Sequence, residues 1–240
     1  MATTADVMTG VRSDERFFAR FAIGLSAFIV LGFAQFGLRG FVDYANAPWW
    51  MHVHGAIMIS WLAVFCIQAT LVAKGNLAQH RKLGWIAAYL AVAVVGMGCF
   101  IGVMAIKTHV QPPFFTPPYF LALTQVGAVV FGGLVFAAIT RRTQTDYHRR
   151  LMAGSLIALT EPALGRWLPM PFMVGWGEWV VLAIQLGFVA IIALHDRRTI
   201  GRIHPATATV GAIIAMMHVL VEVAALNPWV SGIAASIARG

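Results

Sequence analysis

Seven long apolar runs, separated by short polar connections, constrain this chain more than any other feature. Each run is close to the ~20 residues that a helix needs to cross the hydrocarbon core of a bilayer. Hydrophobic residues make up 60% of the 240 residues and charged residues 11%, as in integral membrane proteins. We therefore predict an all-α fold, a seven-transmembrane-helix bundle that forms a single integral membrane domain over residues 1–240. The predicted spans are 17–38, 52–73, 83–105, 119–140, 150–168, 174–194 and 206–226.

The distribution of basic residues predicts how the bundle is oriented. The chain has a net charge of +8, and most Lys and Arg precede the first span or follow the second, fourth and sixth. Cytoplasmic connections of membrane proteins are enriched in Lys and Arg. We therefore expect the N-terminus inside and the C-terminus outside, in a bacterial inner membrane. The basic residues are expected to contact anionic lipid headgroups rather than nucleic acid, because no soluble basic face is predicted. The basic residues that fall on the outer side are Arg39, Lys107, Arg166 and Arg239.

Four ionisable residues lie within the predicted spans and are the first candidates for function: His54, Glu161, His218 and Glu222. A charged side chain at the centre of a membrane helix costs about 2.5–3.5 kcal/mol on insertion scales, so such residues are usually paired, inward-facing and functional. Their positions along the spans predict one shared layer in the outer half of the bundle. His218 and Glu222 are four residues apart and share one helix face. Pro162 removes a backbone donor beside Glu161, so we expect a kink in the fifth span.

Three interpretations of this layer are open on the sequence alone. In the first, His54 and His218 are the axial ligands of a b-type haem, and the two glutamates tune it or relay protons. In the second, His54, Glu161, His218 and Glu222 together bind a non-haem transition metal. In the third, these side chains pair with one another or with Arg166 and hold the bundle together without a cofactor.

The interpretations predict different functions. A haem or metal site indicates a membrane redox component that exchanges electrons with a quinone or another redox partner. The same carboxylates could form the path of an ion- or proton-coupled transporter, although the interrupted helix pairs of many transporters are not evident in the sequence. A metal-dependent membrane hydrolase would use a zinc-activated water. A purely structural membrane protein is the remaining alternative, so the sequence does not assign an enzymatic activity.

A second set of histidines, His80, His148 and His204, marks the starts of the third, fifth and seventh spans at the predicted inner interface. His80 and His148 are the candidate ligands of a second haem there. Alternatively, the set binds a quinone or an anionic headgroup, or is solvated and caps the helices. His109 and His195 fall in predicted connections, and no role is predicted for either. The basic residues that could assist binding are Arg81, Arg149 and Arg150.

Two sequence blocks resemble a family of bacterial predicted membrane proteins of unknown function. The first block runs from His54 to Gly84 and contains Trp61, Gln68 and the motif His80-Arg81-Lys82-Leu83-Gly84. The second contains His148-Arg149-Arg150-Leu151-Met152, Leu159-Thr160, Ala163, Arg166 and Leu168-Pro169. The resemblance covers about residues 50–180, departs from the family pattern at Glu161-Pro162, and implies a polytopic helical membrane protein without a settled activity. Histidines on facing helices are also similar to those of cytochrome b561-type proteins, by analogy only.

Overall fold

A computed structural model describes the backbone of residues 4–240 and the side chains from Asp14 onward. Over these residues the regular secondary structure is helical, which confirms the all-α prediction. A single 3₁₀ turn, Met170–Phe172, lies between the sixth and seventh helices. The helices are α1 Thr4–Leu38, α2 Trp49–Ala73, α3 Leu77–Lys107, α4 Pro117–Thr140, α5 Thr145–Ala158, α6 Glu161–Trp167, α7 Gly177–Ile200, α8 Pro205–Ala225 and α9 Pro228–Arg239.

Among the described residues, six helices are long and apolar enough to cross a membrane, as in a multi-pass membrane protein. They are the part of α1 from Asp14 to Leu38, together with α2, α3, α4, α7 and α8. Each overlaps one predicted span, and the ends of the helices differ from the predicted ends by at most six residues. The predicted count of seven continuous spanning helices is not confirmed, because the segment 150–168 is not one helix.

The fifth predicted span is divided into α5 and α6 by a break at Leu159–Thr160. Pro162 lacks the N–H that would continue the helix, so the kink expected beside Glu161 is confirmed. The break frees backbone groups, and the Ile157 carbonyl accepts three bonds there. Its donors are the Thr160 backbone N–H at 2.9 Å, the Thr160 hydroxyl at 2.6 Å and the Gln185 amide at 3.3 Å. Such compensation is required wherever an irregular backbone lies at membrane depth.

The interrupted α5–α6 segment lies at the centre of the bundle. It packs against α1, α4, α7 and α8. Because α1 also packs on α2, α2 on α3 and α3 on α4, these four helices and α5–α6 form a closed ring of five. The fully buried Trp61 of α2 lies in the core, edge-on to Phe131 of α4 with ring centroids 5.2 Å apart.

The two ends of the bundle differ in character. The basic end, where α2, α4 and α7 finish, carries His80, His148 and His204. The opposite end, called the tryptophan end, has exposed indoles at Trp49 and Trp229. There α2, α4, α7 and α9 begin, and α1, α3, α6 and α8 end. At this end the amphipathic α9 packs on α3 and α4 and buries Ala234 against Ile106 and Leu121. α9 is shorter than the ~20 residues that a helix needs to cross a bilayer, so the sequence did not predict it as a span.

A buried ion pair fixes α5 to α7 at the basic end. The Arg150 guanidinium donates to Asp196 Oδ1 from Nε at 3.0 Å and from Nη2 at 2.5 Å. Both side chains are almost fully buried, with 1% and 0% of their side-chain surface exposed. Asp196 Oδ2 also accepts from the Thr207 hydroxyl at 2.6 Å and the His204 backbone N–H at 3.1 Å, which brings in the start of α8. One carboxylate therefore joins three helices.

Asp14 of α1 makes a second polar contact at the basic end. It pairs with Arg149, and its Oδ1 lies 2.5 Å from His195 Nε2. The His195 ring stacks on Phe17, with centroids 3.7 Å apart. The prediction that His195 lies in a connection is wrong. α7 continues through His195 because Asp14 and Phe17 cover the ring, which a pattern local to residues 190–200 does not reveal.

Loss of the Asp196 carboxylate is expected to be strongly destabilising. Asp196→Asn leaves the Arg150 guanidinium without its buried counter-charge, because the remaining carboxylate, Asp146, is exposed and 3.8 Å away. The free energy of unfolding should therefore fall by about 3 kcal/mol. SDS titration in mixed micelles, followed by helical circular dichroism, measures this. Lys82→Gln, an exposed position on α3, is the control and should change stability by less than about 0.5 kcal/mol. Equal stability of both variants would contradict the buried pair.

The contact between α5 and α8 is expected to tolerate no side chain at Gly154. A Cβ there would lie 2.6 Å and 2.8 Å from the two Val210 methyl groups. Gly154→Ala should therefore lower the free energy of unfolding by about 1–3 kcal/mol through overpacking. The same substitution at Gly133 meets no atom within 4 Å and should be neutral or stabilising, because alanine is the better helix former. The two variants are compared in the same micelle titration.

Candidate functional site

A chain of buried polar side chains runs from the tryptophan end to the break between α5 and α6. The Glu178 carboxylate, in the first turn of α7, accepts from the Tyr119 hydroxyl at Oε2, 2.5 Å away. Its Oε1 lies 2.6 Å from His218 Nδ1 of α8. The other ring nitrogen, His218 Nε2, lies 3.0 Å from Gln185 Oε1. Gln185 then reaches the Ile157 carbonyl and the Thr160 hydroxyl, each at 3.3 Å.

The bonds of Gln185 assign the protons of His218. The Thr160 hydroxyl donates to the Ile157 carbonyl, so both groups can only accept from Gln185. The Gln185 NH₂ therefore faces the break, and its carbonyl oxygen faces His218. It follows that His218 carries a proton on Nε2, an assignment made from the network as a whole.

Glu178 and His218 then share one further proton. Without it, the Nδ1 lone pair would face a carboxylate oxygen at 2.6 Å, which is repulsive. With it, the pair is either a neutral acid beside a neutral imidazole or a carboxylate beside an imidazolium. Both forms have no net charge, which suits a position where His218 is 0% and Glu178 5% exposed.

The four predicted outer residues are not gathered into one ligand set. Among the residues whose side chains are described, no three His, Cys, Asp or Glu are placed to hold a metal ion. Both ring nitrogens of His218 have other partners, and no contact between His54 and His218 is recorded in the described part of the chain. Glu161 begins α6, with its carboxylate 3.9 Å from the position that a Cβ on Gly127 would take. Glu161 and Glu222 both lie near enough to Glu178 to act on it electrostatically.

Sequence reasoning missed Glu178, Tyr119 and Gln185 as site residues. Glu178 and Gln185 are seven residues apart on one face of α7, with the same spacing as His54, Trp61 and Gln68 on α2. That polar periodicity predicts that both residues face the bundle interior, but it does not identify their partners. Tyr119 offered no such pattern, because a tyrosine two residues into a membrane helix is also typical of an interfacial anchor.

A pocket opens at the tryptophan end, next to the hydrogen-bonded side chains of Tyr119 and Glu178. Its volume is about 160 Å³. Tyr119, Glu178 and Glu222 line it on the side of the bundle, and the connection before α4 and the segment before α7 supply the remaining walls. Those walls are Phe114, Phe115, Thr116, Met170, Met173, Val174, Gly175, Trp176 and Gly177.

The structure brings together the predicted inner pair, His80 and His148. Their ring centroids are 6.3 Å apart, and the rings are nearly perpendicular at 84°. His148 Nδ1 lies 2.8 Å from the Ala138 carbonyl, so this nitrogen carries the proton and Nε2 keeps its lone pair in the neutral ring. His80 Nδ1 is buried with no hydrogen-bond partner among the described residues.

His204 has a different role from these two histidines. Its Nδ1 accepts from the Ala206 N–H at 3.1 Å and caps α8, which confirms the capping alternative. Burial, followed by the nearby Arg150 guanidinium, lowers the pKa of His204, so the neutral form that can accept this bond is favoured. Arg149 and Arg150 are paired with carboxylates, so neither is directed at an external anion.

Buried polar atoms without partners follow the inner face of α2. Within the described residues, His54 Nδ1, Trp61 Nε1 and Gln68 Oε1 have no hydrogen-bond partner, and His80 Nδ1 continues the series on α3. Buried polar side-chain atoms in native proteins nearly always have a partner. Both helices belong to the ring of five, so this ring has hydrogen-bonding capacity for a bound molecule.

Comparison of the chain with family models, with curated proteins and with solved structures found no match. The resemblance of residues 50–180 to a family of membrane proteins therefore stays a prediction. The functional argument rests on the geometry of the two histidine sites and the buried carboxylates.

The bonds made by Glu178 are expected to dominate stability at the tryptophan end. Glu178→Ala removes the partner of two buried groups, Tyr119 Oη and His218 Nδ1, each costing about 1–3 kcal/mol when unsatisfied. The free energy of unfolding should fall by about 2–6 kcal/mol. Glu222→Ala is the control and should cost less than about 1 kcal/mol, because the Glu222 carboxylate makes no hydrogen bond with the described residues. A Glu178→Ala variant as stable as Glu222→Ala would refute the proposed bonding.

Proposed function

We propose that the protein is a haem-binding redox component of the bacterial inner membrane, and that His80 and His148 would hold the haem. The observation that carries this proposal is the spacing of the two rings, 6.3 Å between centroids. Imidazoles that coordinate one metal ion from opposite sides have centroids about 6 Å apart, since each metal–nitrogen bond is about 2.0–2.1 Å.

The surroundings of His148 support the same proposal. Ligating histidines almost always donate their second ring N–H to a carbonyl or carboxylate, which orients the ring and raises its basicity. The bond from His148 Nδ1 to the Ala138 carbonyl, 2.8 Å long, is of this kind and leaves Nε2 to bind. α4 thus orients a ligand that α5 carries.

The inner face of α2 supplies further support. Trp61 and Gln68 present unpaired buried polar atoms to the ring of five helices, and Gln68 lies at the end of α2 that is near the unpaired His80 Nδ1. In the proposal these atoms bind the edge of the cofactor or ordered water beside it, while Phe131 and Leu151 in the hydrophobic core exclude bulk water. The haem supplies one-electron chemistry when bound, and the chain sets its orientation, hydration and partner access.

The charge of the basic end indicates which redox partner the protein would bind. In the orientation that the basic residues favour, this end faces the cytoplasm. Arg81 and Lys82 directly follow His80 and are exposed. They are suited to bind the haem propionates or the acidic surface of a redox protein, and a quinone in the inner leaflet is the alternative electron partner.

The break between α5 and α6 favours a second candidate, a proton- or ion-coupled transporter. Interrupted helices next to buried carboxylates are typical of transporter binding sites. Glu161 lies at this break, with Glu178 close enough to act on its charge. Proton flux into liposomes that is abolished by Glu161→Gln but retained in His148→Ala would favour this candidate over redox chemistry.

The haem proposal is tested by spectroscopy of the purified protein. After haem-replete expression, absorption spectra before and after dithionite should show a Soret band and the sharp reduced α-band of two-histidine ligation. His148→Ala or His80→Ala should remove the α-band, because one axial ligand is lost. His52→Ala, an exposed histidine on α2, is the matched control and should leave both bands unchanged.

Two results would overturn the assignment of the ligands. An absent Soret band together with no stoichiometric metal in the same sample would exclude the cofactor. A spectrum that is unchanged in both the His80 and His148 variants but lost in His54→Ala or His218→Ala would move the site to the predicted outer pair.

A further inference from the structure

The pocket at the tryptophan end is lined by both aromatic rings and carboxylates. Aromatic rings come from Phe114, Phe115, Tyr119 and Trp176, and two carboxylates come from Glu178 and Glu222. Phe115 and Tyr119 stack with centroids 5.2 Å apart and planes inclined by 24°. Neither lysine nor arginine is among the residues that line the pocket. Any charge that the walls carry is therefore negative.

That negative charge resides on Glu222. Glu178 shares its proton with His218 and accepts from Tyr119, so the buried pair contributes no net charge. Glu222 lies one helical turn after His218 on α8 and is only partly buried, and its carboxylate makes no hydrogen bond with the described residues. A carboxylate beside aromatic faces attracts a positively charged ligand through both Coulomb and cation–π interactions.

The donor set fits an organic cation better than a metal ion. Calcium needs six to eight oxygen ligands and magnesium a nearly regular octahedron. Here both oxygens of Glu178 already have partners, which leaves the side-chain oxygens of Glu222, Thr116 and Tyr119, too few for either ion. The volume of about 160 Å³ is also well below the ~300–1,000 Å³ of pockets that enclose drug-sized ligands, so the ligand must be small.

We propose that this pocket binds a small organic ammonium cation, with its positive charge beside Glu222 and its alkyl groups against Phe115, Tyr119 and Trp176. The methionines Met170 and Met173 supply polarizable contacts to the alkyl groups. The site does not depend on the haem proposal, because it lies at the opposite end of the bundle from His80 and His148. The ammonium group can belong to a free amine or to the headgroup of an outer-leaflet lipid.

Saturation-transfer difference NMR on the full chain tests the proposal with tetramethylammonium as the probe. The protein in nanodiscs of phosphatidylglycerol should transfer saturation to the probe methyl groups, and an equal concentration of tert-butanol, a neutral near-isostere, should give a much weaker signal. Glu222→Gln should weaken tetramethylammonium binding by about tenfold or more, because the charge contact is lost. Glu15→Gln, on α1 at the basic end, should bind as the unmodified protein does.

Trp176→Leu gives a second test that leaves the charge in place. It should weaken binding several-fold through loss of one aromatic wall. Melting curves of all variants establish that they are folded. Equal signals for tetramethylammonium and tert-butanol, or unchanged affinity in Glu222→Gln, would overturn the proposal.

Changing the lipid of the nanodisc distinguishes a lipid headgroup from a free amine as the natural ligand. If phosphatidylcholine headgroups occupy the pocket, replacing phosphatidylglycerol by phosphatidylcholine in the nanodisc should weaken tetramethylammonium binding in the unmodified protein. The effect should vanish in Glu222→Gln. Unchanged affinity in both lipids assigns the site to a free amine.

Discussion

Backbone groups inside a bilayer must find partners within the protein, and this requirement governs the centre of the molecule. α5 and α6 are divided in the middle of the bundle, where no water is available to the freed carbonyls. The Ile157 carbonyl is satisfied by the Thr160 backbone and hydroxyl and by Gln185 of α7. This bond orients the NH₂ group of Gln185 toward the break, so the side-chain oxygen of Gln185 faces His218. His218 in turn orients Glu178, and Glu178 holds Tyr119 of α4. A single interruption in a central helix thereby organises polar groups on three surrounding helices.

Much of the fold follows from the sequence, because hydrophobic length is a direct physical requirement of the bilayer. Six predicted spans coincide with long helices, and the kink at Pro162 follows from the missing N–H. The division of the fifth span could not be predicted from hydropathy, since its residues are apolar enough on average. Pro162 interrupts the helix, but one of the groups that satisfy the Ile157 carbonyl at the break is Gln185, which lies 25 residues after Thr160 on another helix.

The residues of the candidate sites could be predicted from the sequence only in part, because their partners lie far away along the chain. Composition singled out ionisable residues in apolar surroundings, which included His218 and Glu222. It did not predict their partners, because Glu178 lies 40 residues before His218 in sequence and meets it only through the packing of α7 on α8. The pairing of His80 with His148 shows the opposite case. Both histidines begin helices at the same end of the bundle, so topology alone brings them close once the spans are known.

The amide of Gln185 also has a consequence for how protons can move. An amide oxygen is a very weak base and an amide NH₂ a very weak acid, so Gln185 cannot accept a proton from His218 Nε2 and pass it to Thr160. His218 can exchange protons through Nδ1 and Glu178, on the side of the tryptophan-end pocket. The side chain that satisfies the broken helix therefore blocks proton transfer between His218 and Thr160.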